Sequence, residues 1–176
     1  MPRLFVALNF QKDICDSLYA SALTLKKYSR YINLSRKENL HLTLAFIGES
    51  QNIKAAQDAL KNITATPFDL VLQGYGEFST RDGSICFAKT QKNPKLENLA
   101  LEVRGFLLEK GFEIDTKPFR SHITLGRQFI PSEEFNRDIM ESLLTRKTVT
   151  INSVSLMRSD RINGKLTYTE IYRKSL

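Results

Sequence analysis

The segments HLTL at residues 41–44 and HITL at residues 122–125 contain the two histidines of this 176-residue chain. In each segment a threonine follows the histidine two positions later, and the neighbouring residues are apolar. Side chains two positions apart on a β-strand point to the same face of the sheet. The segments therefore predict two strands, each presenting one histidine and one threonine on one face and apolar side chains towards a core.

The repeated frame of the two histidines points to one shared purpose. Histidine has an ordinary pKa near neutrality, so it is the usual proton donor or acceptor at cellular pH. Taken alone, either segment fits a hydrogen-bonded structural histidine beside a threonine with good β propensity. Because the chain contains no further histidine, the pair favours a functional interpretation.

The remaining sequence predicts alternating helices and strands on either side of these segments. Apolar residues at helical spacing predict helices over residues 12–28, 52–63 and 95–110, and Ser132 suits the N-cap of a fourth helix through Leu144. The predicted strands cover residues 3–9, 40–47, 68–78, 84–89, 119–129, 147–158 and 165–173. Tight turns are expected at Asp82-Gly83 and Asn163-Gly164.

One offset relates the two halves of the chain. His122 lies 81 residues after His41, and the same shift carries the first turn signal onto the second and helix 12–28 onto residues 93–109. This predicts two copies of a helix, histidine strand, helix and hairpin unit within a single domain spanning residues 1–176. Chance alignment of common elements is the alternative. The copies differ at one informative position, where Phe46 corresponds to Arg127.

Composition restricts the function classes without choosing among them. The formal net charge of +7 fits either a solvated basic surface or attraction to a polyanion or nucleotide. Cys15 and Cys86 are far apart, which favours reduced, packed thiols in a cytoplasmic protein, and no cluster has the spacing of zinc ligands. The apolar run near the N-terminus is too short for a signal peptide, and no membrane span is expected.

Two histidine–threonine faces that meet across a groove suit displacement at phosphorus. One neutral imidazole can take a proton from the attacking oxygen, while one cationic imidazole gives a proton to the leaving oxygen. The hydroxyls of Thr43 and Thr124 and the guanidinium of Arg127 are suited to phosphate oxygens. A cyclic phosphodiester would need no metal or cofactor. Phe119 could stack on a base, although packing is its alternative role.

Three segments resemble the two-histidine (2H) phosphoesterases, and more narrowly the RNA 2′,3′-cyclic phosphodiesterases once called 2′-5′ RNA ligases. They are RLFVAL at residues 3–8, ENLHLTLAFIGE at residues 38–49 and KPFRSHITLGR at residues 117–127. The closing segment from SLMRS at residues 155–159 through Gly164 to Tyr168 is similar to the last hairpin of the family. In one departure, Ser121 stands where the family usually has proline, which leaves the start of the second histidine strand less restricted.

The resemblance implies a bilobal α+β fold, with two antiparallel sheets related by pseudo-two-fold symmetry, facing a central groove, and helices outside. It also implies hydrolysis of RNA 2′,3′-cyclic phosphate ends to 2′-phosphates. His41 would be the general acid and His122 the general base, while Thr43, Thr124 and Arg127 would hold the phosphate. Some members also join tRNA halves through a 2′-5′ bond.

The partner that the resemblance implies is RNA, as tRNA halves or other chains ending in a cyclic phosphate, or a nucleotide. We expect a monomer. Two alternatives stay open: an RNA- or nucleotide-binding module without turnover, and a phosphodiesterase that acts on 2′-5′ oligoadenylate or on a small cyclic nucleotide. Apart from the family resemblance, the acid and base roles of the two histidines are interchangeable.

Overall fold

The computed structural model describes residues 1–115 and 117–176 and confirms the α+β class. Within those residues, the helices are α1 (Lys12–Lys27), α2 (Ile53–Lys61), α3 (Pro94–Glu109) and α4 (Arg137–Leu143). The strands are β1 (Arg3–Asn9), β2 (Ser29–Leu34), β3 (His41–Glu49), β4 (Phe68–Thr80), β5 (Gly83–Thr90), β6 (His122–Pro131), β7 (Lys147–Ile151), β8 (Ser153–Ile162) and β9 (Lys165–Ser175). None of these helices combines the length and the apolar character that crossing a bilayer requires.

The strands form one antiparallel path in the order β7-β4-β5-β6-β3-β1-β8-β9, and β2 pairs with β6 beside this path. The two predicted antiparallel sheets are therefore joined where β3 pairs with β6. Leu42 of β3 and Ile123 of β6 are the paired residues at the junction, and both are fully buried. Removing these apolar side chains from water favours closing the junction, so the two halves of the groove share one sheet.

Strand alternation separates the core from the groove. On β1, Leu4, Val6 and Leu8 belong to the main core, whereas Phe5 and Ala7 belong to a second, smaller cluster with Met157. The smaller cluster lies on the groove face, because Phe5 lines the groove. The period of two along a strand thus puts one apolar set beneath the helices and the other beneath the site.

Two features of the strand pattern differ from the sequence prediction. The predicted strand 147–158 is two strands, because β7 pairs with β4 while β8 pairs with β1, at opposite ends of the path. Asn152 alone separates them, so the two ends of the sheet approach each other at this residue. Strand β2, which the sequence analysis did not predict, places Asn33 beside Arg127. The sequence pattern that could have predicted β2 is the alternation of Ile32 and Leu34 with polar residues.

The predicted N-cap at Ser132 is wrong. The backbone N–H of Ser132 donates to the carbonyl of Tyr28 at 2.9 Å, which extends the contact between β2 and β6 past Pro131. Helix α4 begins later, where Asn136 Oδ1 accepts from the N–H of Asp138 at 2.8 Å. Both residues are good caps, and sheet pairing decides between them.

The predicted turn at Asn163-Gly164 is confirmed, whereas the first turn lies one residue earlier than predicted, at Arg81-Asp82 between the paired residues Thr80 and Gly83. Asn163 and Gly164 have positive φ angles of 50° and 75°, as a two-residue hairpin turn of this kind requires. Gly83 has φ 110° and begins β5 directly after Asp82.

The 81-residue offset relates the β4–β5 hairpin to the β8–β9 hairpin along the sequence. The positions in the sheet give a different correspondence: β5 is the neighbour of β6, and β1, not β9, is the neighbour of β3. A duplication of the chain stays a prediction.

Candidate active site

Each histidine is the first residue of its strand and bonds to the backbone two residues earlier. Nδ1 of His41 lies 2.6 Å from the carbonyl oxygen of Asn39. Nδ1 of His122 lies 2.6 Å from the carbonyl oxygen of Arg120. A carbonyl oxygen only accepts hydrogen bonds, so Nδ1 carries the proton in both rings. In the neutral form, Nε2 of each ring is therefore the atom free to take up a proton.

The junction between β3 and β6 brings both histidines and both threonines together. Since Leu42 pairs with Ile123 in antiparallel register, His41 lies on the side of Thr124, and Thr43 lies on the side of His122. This makes the histidines diagonal neighbours, whose backbones are about 7–8 Å apart in such a ladder. A tetrahedral group between them would have one imidazole on each side.

The two Nε2 atoms differ in their surroundings. Nε2 of His41 is 2.9 Å from Oγ1 of Thr43, which donates to it when the ring is neutral. Nothing in residues 1–115 or 117–176 forms the matching bond to Nε2 of His122. The asymmetry leaves His122 with the freer nitrogen, while Thr43 fixes the orientation of His41.

Aromatic rings support both imidazoles from different parts of the fold. The ring of His41 is 5.0 Å from that of Phe5 and 5.2 Å, edge to face, from that of Tyr168. The ring of His122 is 5.1 Å from that of Phe78 and 5.4 Å from that of Phe87. Such contacts between planar rings restrict the side-chain rotation that would misplace a reacting nitrogen. The sequence analysis did not identify these supporting residues.

Gly76 makes room for one of these supports, which leads to a stability prediction. Gly76 is the cross-strand partner of Phe87, and a Cβ at position 76 would lie 2.2 Å from the Phe87 ring. Gly76→Ala is expected to cost about 1–3 kcal/mol of unfolding free energy through overpacking. It should also slow any reaction in which His122 takes part, because the displaced ring contacts His122. Thermal denaturation and initial rates measure both effects.

Gly105→Ala is the matched control for that prediction. Gly105 lies inside α3, and an added Cβ would meet no atom within 4 Å. Alanine is favoured over glycine within a helix by about 1 kcal/mol, so this variant should be as stable as the parent or more stable. Equal stability of the Gly76→Ala and Gly105→Ala variants would contradict the role given to Gly76.

Burial lowers the pKa of both histidines below the ordinary value. For His41, desolvation is the largest cause; the bond to the Asn39 carbonyl opposes it, and the charges of Arg127 and His122 add to it. For His122, desolvation again dominates, the Arg120 carbonyl opposes it, and Arg127 lowers the pKa further. Both imidazoles are therefore mainly neutral at neutral pH. A bound anion would favour protonation of the ring beside it.

The groove around the histidines has a volume of about 900 Å³. Thr43, Thr124 and Arg127 line it together with both histidines, so the structure brings five of the six predicted site residues together. Phe46, the counterpart of Arg127, also lines the groove and is 62% exposed. The groove thus combines two imidazoles, two hydroxyls and one guanidinium, a set suited to a phosphate group.

Phe119 is the predicted site residue that lies elsewhere. It packs against the main core, with the guanidinium of Arg104 5.7 Å from its ring centre, and it is not among the residues that line the groove. Its interpretation as packing therefore replaces the stacking role. In the sequence, the aromatic side chain of Phe119 suited base stacking. In the structure, the chain before β6 directs this ring towards Arg104 of α3.

Ser121, which stands where the family usually has proline, contacts the neighbouring strand β5. Its hydroxyl forms a hydrogen bond with the hydroxyl of Thr90 at the end of β5. The neighbouring register pair is Lys89 with His122. A cross-strand bond thus joins the residue directly before His122 to β5, and the effect of the missing proline on the strand start stays a prediction. The sequence could not show this contact, since 31 residues separate its partners.

Metal ligands are not clustered in the part of the chain that the structure describes. No group of three or more His, Cys, Asp or Glu side chains there is arranged to hold an ion. The contacts of the two histidine rings are with the Thr43 hydroxyl and with aromatic rings, and Arg127 lines the same groove. The metal independence of any reaction is a separate expectation, which chelation tests.

A model of the 2′-5′ RNA ligase superfamily matches residues 16–163 of the chain. An RNA 2′,3′-cyclic phosphodiesterase from Geobacillus stearothermophilus is 31% identical over 130 residues, which are 70% of this chain and 41% of the relative. One from Archaeoglobus fulgidus is also 31% identical, over 71% of this chain and 72% of the relative. The chain thus spans about two fifths of the first relative and nearly three quarters of the second.

The solved structures give the same result for the fold. The crystal structure of E. coli LigT complexed with 3′-AMP superposes with a TM-score of 0.81 and 25% sequence identity. That match covers 100% of this chain and 99% of LigT. The family match, the relatives and the structural likeness all agree with the family resemblance of the segments around the two histidines. The chain belongs to the 2′-5′ RNA ligase superfamily of two-histidine phosphoesterases.

Proposed function

We propose that this protein hydrolyses RNA 2′,3′-cyclic phosphate ends to 2′-phosphates, with its two histidines as acid and base and without a metal ion. The observation that carries the proposal is the pair of imidazoles on diagonal positions of β3 and β6, each with Nδ1 bonded to a carbonyl and Nε2 left for proton transfer. The relatives named RNA 2′,3′-cyclic phosphodiesterase support the choice of substrate.

The proposed reaction begins with substrate binding. The cyclic phosphate carries one negative charge and would lie between the two rings, near Arg127. Its charge raises the pKa of the histidine beside the leaving oxygen, so that ring takes up a proton when the substrate binds. We assign this role to His41, following the family resemblance. His122 stays neutral and accepts a proton from water as the water oxygen attacks phosphorus.

Bond breaking completes the step. The 3′ oxygen leaves as the phosphorus–oxygen bond breaks, and it takes the proton from Nε2 of His41. The non-bridging oxygens gain negative charge, which the Thr43 and Thr124 hydroxyls and Arg127 stabilise. The products are a free 3′ hydroxyl and a 2′-phosphate, with the proton from water on His122. Replacing the water by the 5′ hydroxyl of a second RNA would yield a 2′-5′ bond, the ligation that the family implies.

Phosphorus NMR of a short RNA ending in a 2′,3′-cyclic phosphate, incubated with the protein in EDTA, tests the proposal. We expect a 2′-phosphate to appear at the rate seen without EDTA. A 3′-phosphate would reverse the leaving group and with it the histidine roles. Inhibition by EDTA would contradict metal independence.

The two alternatives give different outcomes in the same experiment. Turnover of a small cyclic nucleotide or of 2′-5′ oligoadenylate, but not of the RNA, would keep the two-histidine chemistry and change the substrate. Binding of the RNA without any turnover would identify a binding module and refute the proposal. The several cations along the groove favour an oligonucleotide, which carries several phosphates, over a mononucleotide with one.

A further inference from the structure

The positive charge of the groove lies mainly on one wall. The charged residues among those that line it are all cations: Arg3, Arg36, Arg127, Arg161 and Lys165. Four of these five belong to the half of the sheet that contains His41, on β1, on the turn before β3 and on the β8–β9 hairpin. Phe78 and Ile85 of the other half give that wall an apolar surface.

Most of these charges are not neutralised by carboxylates. Within residues 1–115 and 117–176, Arg3, Arg161 and Lys165 form no ion pair, and Arg36 is 3.6 Å from the exposed Glu38. Side chains on β8 alternate between two faces. Arg158 and Asp160 form an ion pair at 2.6 Å on one face, while Ser159 and Arg161 line the groove on the other. A row of free cations in a groove attracts a chain of anions.

Hydrogen bonds fix the hairpin relative to His41. The carbonyl oxygen of Leu166 accepts from Arg36 at 3.1 Å and from the side-chain amide of Asn39 at 3.0 Å. The backbone carbonyl of that same Asn39 holds Nδ1 of His41. From Tyr168, whose ring touches His41, the strand runs three residues to Lys165, about 10 Å. The cations therefore begin beside the site and lead away from it.

We propose that Arg36, Arg161 and Lys165, the hairpin strip, bind the phosphates on the 5′ side of the terminal nucleotide of a single-stranded RNA. The inference rests on the proposed function. The terminal cyclic phosphate occupies the space between the histidines, and the RNA continues from it through the 5′ oxygen. Each further nucleotide adds one negative charge, which the strip can pair in place of the counterions of the RNA. The preferred substrate is thus an oligonucleotide and not a mononucleotide.

Charge reversal on the hairpin tests the strip. The double variant Arg161→Glu/Lys165→Glu is compared with the parent on two substrates, a five-nucleotide RNA ending in a 2′,3′-cyclic phosphate and 2′,3′-cyclic AMP. We expect the ratio of kcat/KM for the RNA to that for the mononucleotide to fall about tenfold. The slope of log affinity against log salt for the RNA should shrink by about 1.4, at about 0.7 for each lost phosphate contact.

Lys92→Glu/Lys95→Glu is the matched control, because it changes the net charge by the same amount. Both lysines are exposed, neither lines the groove, and neither pairs with a carboxylate in the described part of the chain. We expect the substrate ratio of this variant to equal that of the parent. If the ratio of kcat/KM for the RNA to that for the mononucleotide falls equally in both double variants, the change in net charge explains the loss and the proposal is overturned.

Two further outcomes separate this inference from the proposed function. A loss in Arg161→Glu/Lys165→Glu that is equal for the RNA and for 2′,3′-cyclic AMP would overturn the strip and leave the proposed function intact. If the parent turns over neither substrate, the proposed function fails. Fluorescence anisotropy of a labelled five-nucleotide RNA ending in a 3′-phosphate then tests the strip by itself, and unchanged affinity in the hairpin variant would refute it.

Discussion

Replacing either histidine by alanine is expected to lower kcat on a 2′,3′-cyclic phosphate RNA by about 10²–10⁴-fold, the usual contribution of one acid or base. RNA affinity should persist, because the cations of the groove remain. In the proposed reaction both rings act through their Nε2 atoms, while carbonyl groups hold their Nδ1 atoms. Single-turnover rates and anisotropy on the same preparations separate chemistry from binding. Undiminished turnover in both variants would refute the proposed function.

A sulfur substitution distinguishes the roles of the two histidines. In a substrate with sulfur at the 3′ position, the leaving thiolate needs less protonation than an alkoxide, because thiols have a pKa near 8.5. His41→Ala should then lose much less activity on this substrate than on the oxygen substrate. His122→Ala should lose about the same on both, since its role is at the water. The opposite pattern would exchange the acid and base assignments.

Folding must be checked in these variants, because each removes a bonded, half-buried ring. His41→Ala leaves the Asn39 carbonyl and the Thr43 hydroxyl without their partner, at a cost of about 1–3 kcal/mol. His41→Gln and His122→Gln retain a polar side chain and serve as the second pair of variants. A rate loss in the glutamine variants at an unchanged melting temperature assigns the effect to proton transfer.

Arg127→Gln is expected to lower kcat/KM by about 10²–10³-fold, the range found when one donor to a developing negative charge is removed. Arg127 is the groove cation on the strand that contains His122, and the residue 81 positions earlier is Phe46. Arg146→Gln is the matched control: Arg146 is exposed, does not line the groove and has no ion pair among the described residues. A similar loss in both variants would contradict a specific role for Arg127.

The pH dependence of the same variant gives an independent test. The plot of kcat/KM against pH reports the free protein and should be bell-shaped, because one histidine must be neutral and the other protonated. The charge of Arg127 lowers the pKa of both rings. Its removal raises both pKa values, so both limbs of the bell should move to higher pH. Fixed limbs would show that Arg127 does not act on the histidines electrostatically.

Burial also determines the pH range of the bell-shaped kcat/KM profile of the parent protein. Desolvation is the largest cause that lowers the pKa of His41 and His122, so we expect the maximum of kcat/KM below the ordinary histidine pKa near 6.5. The plot of kcat should place the limb of the acid at higher pH than the plot of kcat/KM does, because the bound phosphate raises the pKa of that ring.

The sequence by itself determined the parts of the protein that depend on short-range pattern. Alternation around His41 and His122 predicted their strands and the face that they share with Thr43 and Thr124. Helical spacing predicted α1, α2 and α3 to within a few residues of their observed bounds. Asn163-Gly164 predicted a hairpin turn because few other residue pairs accept two positive φ angles. Each of these features is decided by residues close together along the chain.

Only the tertiary structure decided the features that depend on distant partners. Asn152 divides what looked like one strand because β7 and β8 pair at opposite ends of the sheet. Asn136 caps α4 in place of Ser132, because the backbone N–H of Ser132 bonds to the carbonyl of Tyr28, directly before β2. Phe119 packs against the core. The hairpin strip likewise depends on the contacts of Arg36 and Asn39 with Leu166, which lies more than 120 residues further along the chain. Local sequence pattern does not encode such contacts, because burial and pairing across the whole chain select them.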